Sequence, residues 1–332
     1  MKKNLFTLLI VGLFIFFVIY HFPNVNSVTY LLDQAKWDLL GLTIVLQIFY
    51  YFCFAYLAKL AFRIYNIHWS LKKILVLSLA ALSTGVVTPL GSLAGTIVYI
   101  HRAKKDGYSG FSASAAIFAT VLCEFVVIFI FLLLSIFYID VSNKIFSYEI
   151  AGLISFSGVM LGIFIMLTFG KFNPGLLKQL LRFYFDLYNK TCNAFKSSNL
   201  LPSVWVENRN AKFNEISEAL FKKAALIKYM LVYALGMHIF NMLTLLTLFM
   251  ALGNNVDIFT VFVGYSFGRL LLTISPTPQG IGVVDSLMPL IFKSLGVDIQ
   301  LAILIVLAYR ALTLWLPAGL GFFALHSVVV RD

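Results

Sequence analysis

Apolar residues in this chain come in long runs, with short polar and basic segments between them. Runs at about 5–20, 37–58, 111–138, 150–169, 228–252 and 301–330 predict helices near the roughly 20 residues that cross a bilayer. Two further apolar stretches, 74–100 and 258–295, are each cut in the middle. The cuts match: Thr88-Pro89-Leu90-Gly91 in the first and Thr277-Pro278-Gln279-Gly280 in the second. Proline removes a backbone donor and crowds the preceding turn, and glycine adds freedom without helix stability. Each step therefore ends one helix and lets another begin. Freed backbone groups in lipid must be satisfied by protein or by a wet cavity. The pattern predicts two re-entrant hairpins whose tips lie within about 10 Å of each other near mid-membrane, as in transporters with inverted repeats. Two ordinary proline kinks are the plainer alternative.

Composition agrees with the pattern. Hydrophobic residues make up 61% of the chain and charged residues only 12%, against about 25% charged in soluble domains. The predicted fold class is an all-α polytopic membrane protein of two inverted repeats, each with a re-entrant helix hairpin broken at Thr-Pro-x-Gly. The start, Met1-Lys2-Lys3 followed by an apolar core, resembles a signal peptide but has no small-residue cleavage site, which predicts an uncleaved first helix. The expected organisation is a first transmembrane half at 1–169 with hairpin 74–100, a basic cytoplasmic amphipathic segment at 170–226, and a second half at 227–332 with hairpin 258–295. Within the middle segment, 176–188 has apolar residues at helical spacing with bases between them, which suits a helix on an anionic surface or a solvated linker helix.

The net charge of +11 would point to nucleic acid in a soluble protein. Here the bases fall between apolar runs, so the positive-inside rule explains them and no nucleic-acid partner is expected. With Lys2 and Lys3 in the cytoplasm and both hairpins re-entrant, 20 of the 25 Lys and Arg lie inside. That predicts a multi-pass inner (cytoplasmic) membrane protein with both termini cytoplasmic. The first hairpin would then rise from the cytoplasm and the second descend from outside. Cys53, Cys123 and Cys192 make no spaced motif and read as unpaired. No metal-ligand cluster, nucleophile triad, Walker loop or dinucleotide fingerprint occurs, so no cofactor, metal or catalytic residue is expected.

Four ionisable residues lie inside apolar helices: Glu124, Arg269, Asp285 and Arg310. A charge at that depth is expensive, and such residues pair or line a pathway. Arg269 precedes the second break and Asp285 follows it. Arg310 is deep in the last helix, and Glu124 is at similar depth in the helix after the first break. The functional reading is a cavity in which Arg269 and Arg310 hold an anionic headgroup, since the guanidinium fork matches phosphate oxygens. Thr88, Gly91, Thr277, Gln279 and Gly280 would line the path at the tips, and half-helices starting there would aim their positive ends at the same place. Glu124 and Asp285 would be counter-ions or proton carriers. The structural alternative is two static ion pairs that fix helix packing. His238, beside Asn241 in an apolar helix, reads as a packing residue more readily than as a site.

The run Pro276-Thr277-Pro278-Gln279-Gly280-Ile281-Gly282-Val283-Val284-Asp285 resembles the Pro-Thr-Pro-x-Gly-x-Gly-x-x-acid signature of a flippase-like membrane family that includes the transmembrane region of lysylphosphatidylglycerol synthases. Ala308-Tyr309-Arg310-Ala311 matches that family's following arginine, Thr88 through Gly95 its first-half motif, and Glu124 the acid of a Glu-Arg pair. Thr96 stands where the family often has Glu, Phe125 where Arg is usual beside Glu124, and Asp285 where Glu is commoner. The resemblance implies a flippase-like transporter that moves an anionic phospholipid or lipid-linked saccharide between leaflets by alternating access, with no enzymatic activity. Lysyl transfer is not implied, because the synthases carry it in a separate C-terminal domain and this chain ends soon after its last helix. The alternatives are a membrane enzyme on prenyl- or glycolipids, a small-solute secondary transporter, or a membrane partner of a lipid-modifying enzyme.

Overall fold

The computed structural model describes residues 35–88, 92–141, 157–158, 162, 165–194, 201–275 and 277–329. Among them are eleven principal helices and no strand. They are α1 Trp37–Ile64, α2 Leu71–Val87, α3 Ser92–Lys105, α4 Gly110–Val141, α5 Pro174–Ala194, α6 Trp205–Lys222, α7 Ala224–Ala251, α8 Ile258–Ile274, α9 Val283–Ser294, α10 Ile299–Arg310 and α11 Leu316–Val329. The expected first helix, most of the expected span at 150–169, and Pro89, Leu90 and Gly91 of the first break lie outside the described residues. The chain forms two units, one of Met1–Leu153 with Tyr229–Asp332, the other Ile154–Lys228.

In the larger unit, four helices are long and apolar enough to cross a membrane: Trp37–Ile64, Gly110–Ile139, Ala224–Ala251 and the combined run Ile299–Leu325. The helices flanking the breaks are shorter. At 1.5 Å per residue, α2 is about 25 Å long, α3 about 21 Å and α9 about 18 Å, below the roughly 30 Å of a hydrocarbon core. They pack as antiparallel pairs. Tyr99 of α3 donates through its hydroxyl to Ser78 of α2 at 2.8 Å, and further toward the break Gly95 lies against Ala81, whose carbonyl would be 2.8 Å from any added Cβ. In α8, Gly264 receives the ring of Phe292 and Gly268 receives Met288, both from α9. Side chains at 264 or 268 would collide with them, so small residues set these close approaches.

The two hairpins are based at opposite ends of α4. At the end where α4 begins, Asp106 ties the start of α2 to the end of α3. Trp69 Nε1 donates to Asp106 Oδ2 at 2.7 Å, Lys73 pairs with the same oxygen, and Arg102 Nε is 3.2 Å from Oδ1. At the far end of α4, Tyr138 stacks on Phe259 and its hydroxyl donates to Asp257 Oδ2 at 3.4 Å. Asp257 also caps the start of α8 by accepting from Phe259 N–H.

A further tight contact joins α2 to α11. Ser83 Oγ donates to the Ala318 carbonyl at 2.6 Å. A Cβ at Gly321 would sit 2.1 Å from the Leu79 carbonyl oxygen and 2.2 Å from Ser83 Oγ. Gly319, two residues earlier, has open space around it. Gly321→Ala is therefore expected to lower stability by about 1–3 kcal/mol, since backbone must move to admit the methyl. Gly319→Ala is expected to be neutral or slightly stabilising, by helix propensity. Thermal unfolding of the two purified variants in detergent checks the pair.

The Asp106 cluster carries a pH dependence. Partial burial pushes the carboxyl upward, but hydrogen bonds from Lys73 and Trp69 and the charges of Lys73 and Arg102 outweigh it and hold Asp106 below the ordinary carboxylate value. A carboxyl lowered on folding contributes stability above its unfolded value and loses it as pH falls through its folded value. Asp106→Asn is expected to cost about 1–2 kcal/mol near neutral pH. The difference from wild type should close as pH drops below about 4, which unfolding measured across the acid range will read.

Candidate functional site: two buried ion pairs beside a broken helix

The second break is a turn with three left-handed residues. Pro278–Gly280 form one 3-10 turn, with Gln279 at φ 51° and Gly280 at φ 68°, and Gly282 follows at φ 82°. Glycine accepts that backbone freely. For Gln279 it costs about 1–3 kcal/mol, and such a residue persists only when its surroundings hold it. Arg310 holds it: Nη2 donates to the Gln279 carbonyl at 2.7 Å. Arg310 Nε donates to Asp285 Oδ1 at 2.9 Å, and Asp285 Oδ2 accepts from Gly282 N–H at 2.8 Å. Both side chains of this pair are only 5% exposed. One arginine thus fastens the tip to the end of α10, and one aspartate caps the start of α9. The positive end of α9 is met by its own Asp285.

The backbone beyond Arg310 is also irregular. Ala311–Trp315 form a π turn, and Leu316 N–H bonds back to the Ala311 carbonyl. The irregularity lies one turn before Pro317. Pro317 has no N–H for the Thr313 carbonyl, and its ring would crowd that carbonyl, so the preceding turn widens.

The second tip rests on the end of α2. Ile281 packs with Val86, Leu314 and Trp315. Two residues past Val86, Thr88 turns its hydroxyl back onto the Thr84 carbonyl at 2.8 Å. Thr277 shares a 2.8 Å hydrogen bond with Ser275. Thr277, Gln279, Gly280, Asp285 and Arg310 are therefore gathered at one place, with Thr88 bonded within its own helix nearby. Gln279 takes part through its backbone carbonyl.

The second ion pair joins the two halves. Arg269 Nη2 of α8 donates to Glu124 Oε2 of α4 at 3.4 Å, a long contact. The pair is three times as exposed as the first, at 16% and 15%. Arg269 Nε is buried with no hydrogen-bond partner among the described residues. The guanidinium is within electrostatic reach of Tyr50, Tyr265 and Tyr309. His238 Nδ1 is 2.7 Å from the Tyr265 hydroxyl, so this histidine is tied to the same cluster. Tyr309 is also within electrostatic reach of Arg310. Where the resemblance leads one to look for an arginine next to Glu124, the chain has Phe125; the guanidinium comes instead from Arg269, 145 residues away. The sequence gives no sign of the tyrosines, which are three among 16 in the chain.

Among the described residues no group of three His, Cys, Asp or Glu could hold a metal ion. The lysylphosphatidylglycerol synthase transmembrane-region model matches residues 4–321. The chain belongs to that family. Its membership makes it a membrane protein that acts on lipids. The expectation of no enzymatic activity is corrected by the same match. The lysylphosphatidylglycerol synthase family is lipid-modifying, and the match to its transmembrane region gives no support for excluding an enzyme. No curated protein matches this member of the family.

The geometry of the tighter pair yields a stability prediction. Arg310→Gln strands a buried carboxylate and frees the Gln279 carbonyl, with an expected loss of about 3–5 kcal/mol. Asp285→Asn keeps an acceptor for Gly282 N–H but leaves the guanidinium unpaired. The double variant is expected to recover part of the Arg310→Gln loss. Abundance in the membrane and unfolding in detergent read the cycle, and strict additivity of the two single losses would refute the coupling.

Proposed function

We propose that this protein moves an anionic, phosphate-bearing lipid between leaflets by alternating access. It would sit in the cytoplasmic membrane with both termini inside, and 74–100 and 258–295 would be re-entrant hairpins entering from opposite faces. The observation that carries the reading is Arg269. Its guanidinium is deep in an apolar unit, joined to Glu124 by one long contact, with a buried Nε lacking a partner among the described residues. A buried guanidinium left with donors to spare is suited to a second anion, and a phosphate offers the two-point geometry the fork prefers. Arg310 has the opposite character. Its short bonds to Asp285 and to the Gln279 carbonyl fit a fastening role. On this reading Glu124 is the counter-ion when no lipid is bound, and the tyrosines around Arg269 supply hydroxyl donors to the headgroup.

A second reading is favoured by the family itself: the same anion site would present a phospholipid to lipid-modifying chemistry, here or on a partner. The two readings share the anion site and differ in the fate of the lipid.

The test uses purified protein in vesicles carrying a fluorescent phosphatidylglycerol, with outer-leaflet dye reduced chemically. Wild type is expected to expose inner-leaflet dye, and Arg269→Lys to lose most of that rate at unchanged abundance, because the charge stays and the fork is lost. Transport by Arg269→Lys at the wild-type rate would sink the headgroup assignment. A wild-type protein that moves no lipid, yet binds phosphatidylglycerol in an Arg269-dependent way, would favour the second reading.

A further inference from the structure

The smaller unit has an apolar face that its own core does not use. Helix α5, Pro174–Ala194, buries Leu177 and Leu181 against Val206 of α6, with Met166, Phe169, Phe185 and Trp205 around them. That face satisfies the unit's need for a core. A second stripe on the same helix remains open: Leu176, Leu180, Phe183 and Leu187 recur at steps of three and four, and Phe172, just before the helix, continues it. Phe172 and Phe183 are each 69% exposed and Leu187 is 54% exposed. Residues at i, i+4, i+7 and i+11 share one face of a helix, so these side chains form one continuous band. Phe221 at the end of α6 extends the band by an edge-to-face contact with Phe172.

This helix is not a membrane span, since charged and polar residues fill the rest of its surface and it is absent from the four spanning candidates. Its charges are mainly basic. Lys178, Arg182 and Lys190 stand against Asp186 alone, and 170–226 as a whole has nine Lys and Arg against four Asp and Glu. Lys178 is partly neutralised by Glu207 at 3.2 Å, while Arg182 and Lys190 are exposed. The chain also restricts where the helix can go. Ala224–Ala251, a candidate membrane span, begins two residues after α6 ends. An apolar band flanked by bases, on a helix packed against α6, which runs almost directly into a spanning segment, fits the headgroup layer of a bilayer.

We infer that α5 lies in the plane of the membrane surface, with Phe172, Leu176, Leu180, Phe183 and Leu187 in the acyl boundary and Arg182 and Lys190 on anionic headgroups. The surface is thus a second lipid-contact site, for the bilayer itself, made of residues other than those of the two buried ion pairs. It would hold the basic segment against the leaflet and enrich anionic lipid beside the transmembrane unit. This inference does not depend on the transport reading.

The test is site-directed spin labelling of the full chain in vesicles. Cys192 is replaced by serine, leaving the buried Cys53 and Cys123 in place. Labels go at Phe183→Cys and Leu187→Cys on the band and at Asp186→Cys on the polar face; all three positions are exposed, so the changes spare the core. Oxygen partitions into lipid and a nickel chelate stays in water. In vesicles rich in phosphatidylglycerol, positions 183 and 187 are expected to be open to oxygen and closed to nickel, with a ratio several-fold above that at 186. In vesicles of phosphatidylcholine alone the ratio at 183 and 187 should fall. Access to both reagents at 183 and 187 would show a solvated helix and overturn the inference. Exclusion of both would show a protein cover, a second copy or another chain, and overturn it equally. The same ratio in both vesicle types would overturn the part assigned to Arg182 and Lys190.

Discussion

A broken helix in an apolar layer sets a demand that the surrounding sequence has to meet. The turn at Pro278–Gly280 interrupts the helical ladder and leaves a carbonyl that needs a donor from elsewhere in the fold. The Gln279 carbonyl needs a donor and takes one from Arg310; that guanidinium needs an anion and takes Asp285; Asp285 has a second oxygen, which accepts Gly282 N–H at the start of α9. Each group is required by the one before it. A neutral donor at position 310 would serve the carbonyl but leave Asp285 a buried, unpaired charge, so the break, the arginine and the acid form one device. The left-handed backbone at 279, 280 and 282 follows from it, since it turns the carbonyl toward α10.

Glu124 and Arg269 obey the same electrostatics and reach a different balance. The contact is 3.4 Å against 2.9 Å, the side chains are more exposed, and one donor stays unmatched. A pair built only for stability has reason to become short and to take further hydrogen bonds, as Arg310 and Asp285 have. One that must exchange partners has reason to stay loose. The contrast lies within one molecule, and it follows both how far each pair is exposed and what each pair is joined to.

Much of this could be read from the residues in order. Proline and glycine inside apolar runs, and four charges in the same runs, are rare enough to mark the second break and the buried ion pairs directly. The Pro-Thr-Pro-Gln-Gly stretch marked the family. What the order of residues does not carry is who meets whom. Glu124 and Arg269 are 145 positions apart, and nothing local links them; the neighbour of Glu124 in the chain is Phe125, which cannot pair with it. Gln279 invites a reading through its side chain, yet its carbonyl is the part in use. Gly319 beside Pro317 reads as a kink, while Gly321, two residues on, makes the backbone contact with Leu79 and Ser83. Tyr50, Tyr265 and Tyr309 look like packing residues until the folded helices bring their hydroxyls toward one guanidinium.

The joints between elements differ in stiffness, and that bears on how such a molecule would work. The first hairpin is bound to the last helix at close range, by the Ser83 hydroxyl on the Ala318 carbonyl and by the Leu79 backbone against Gly321. The second hairpin is seated on α2 through the apolar contacts of Ile281 and fastened to α10 through Arg310. It also meets α4 through the long Arg269–Glu124 contact. Packed interfaces are bistable rather than continuously soft, and a ligand shifts them only by binding one arrangement better than the other. On the proposed reading, an anion taken up by Arg269 would compete with Glu124 at that joint, and would weaken the tie between α4 and α8 while leaving the fastened tip intact. The loose pair is then both the place where a headgroup is recognised and the place where its binding can be felt by the rest of the fold.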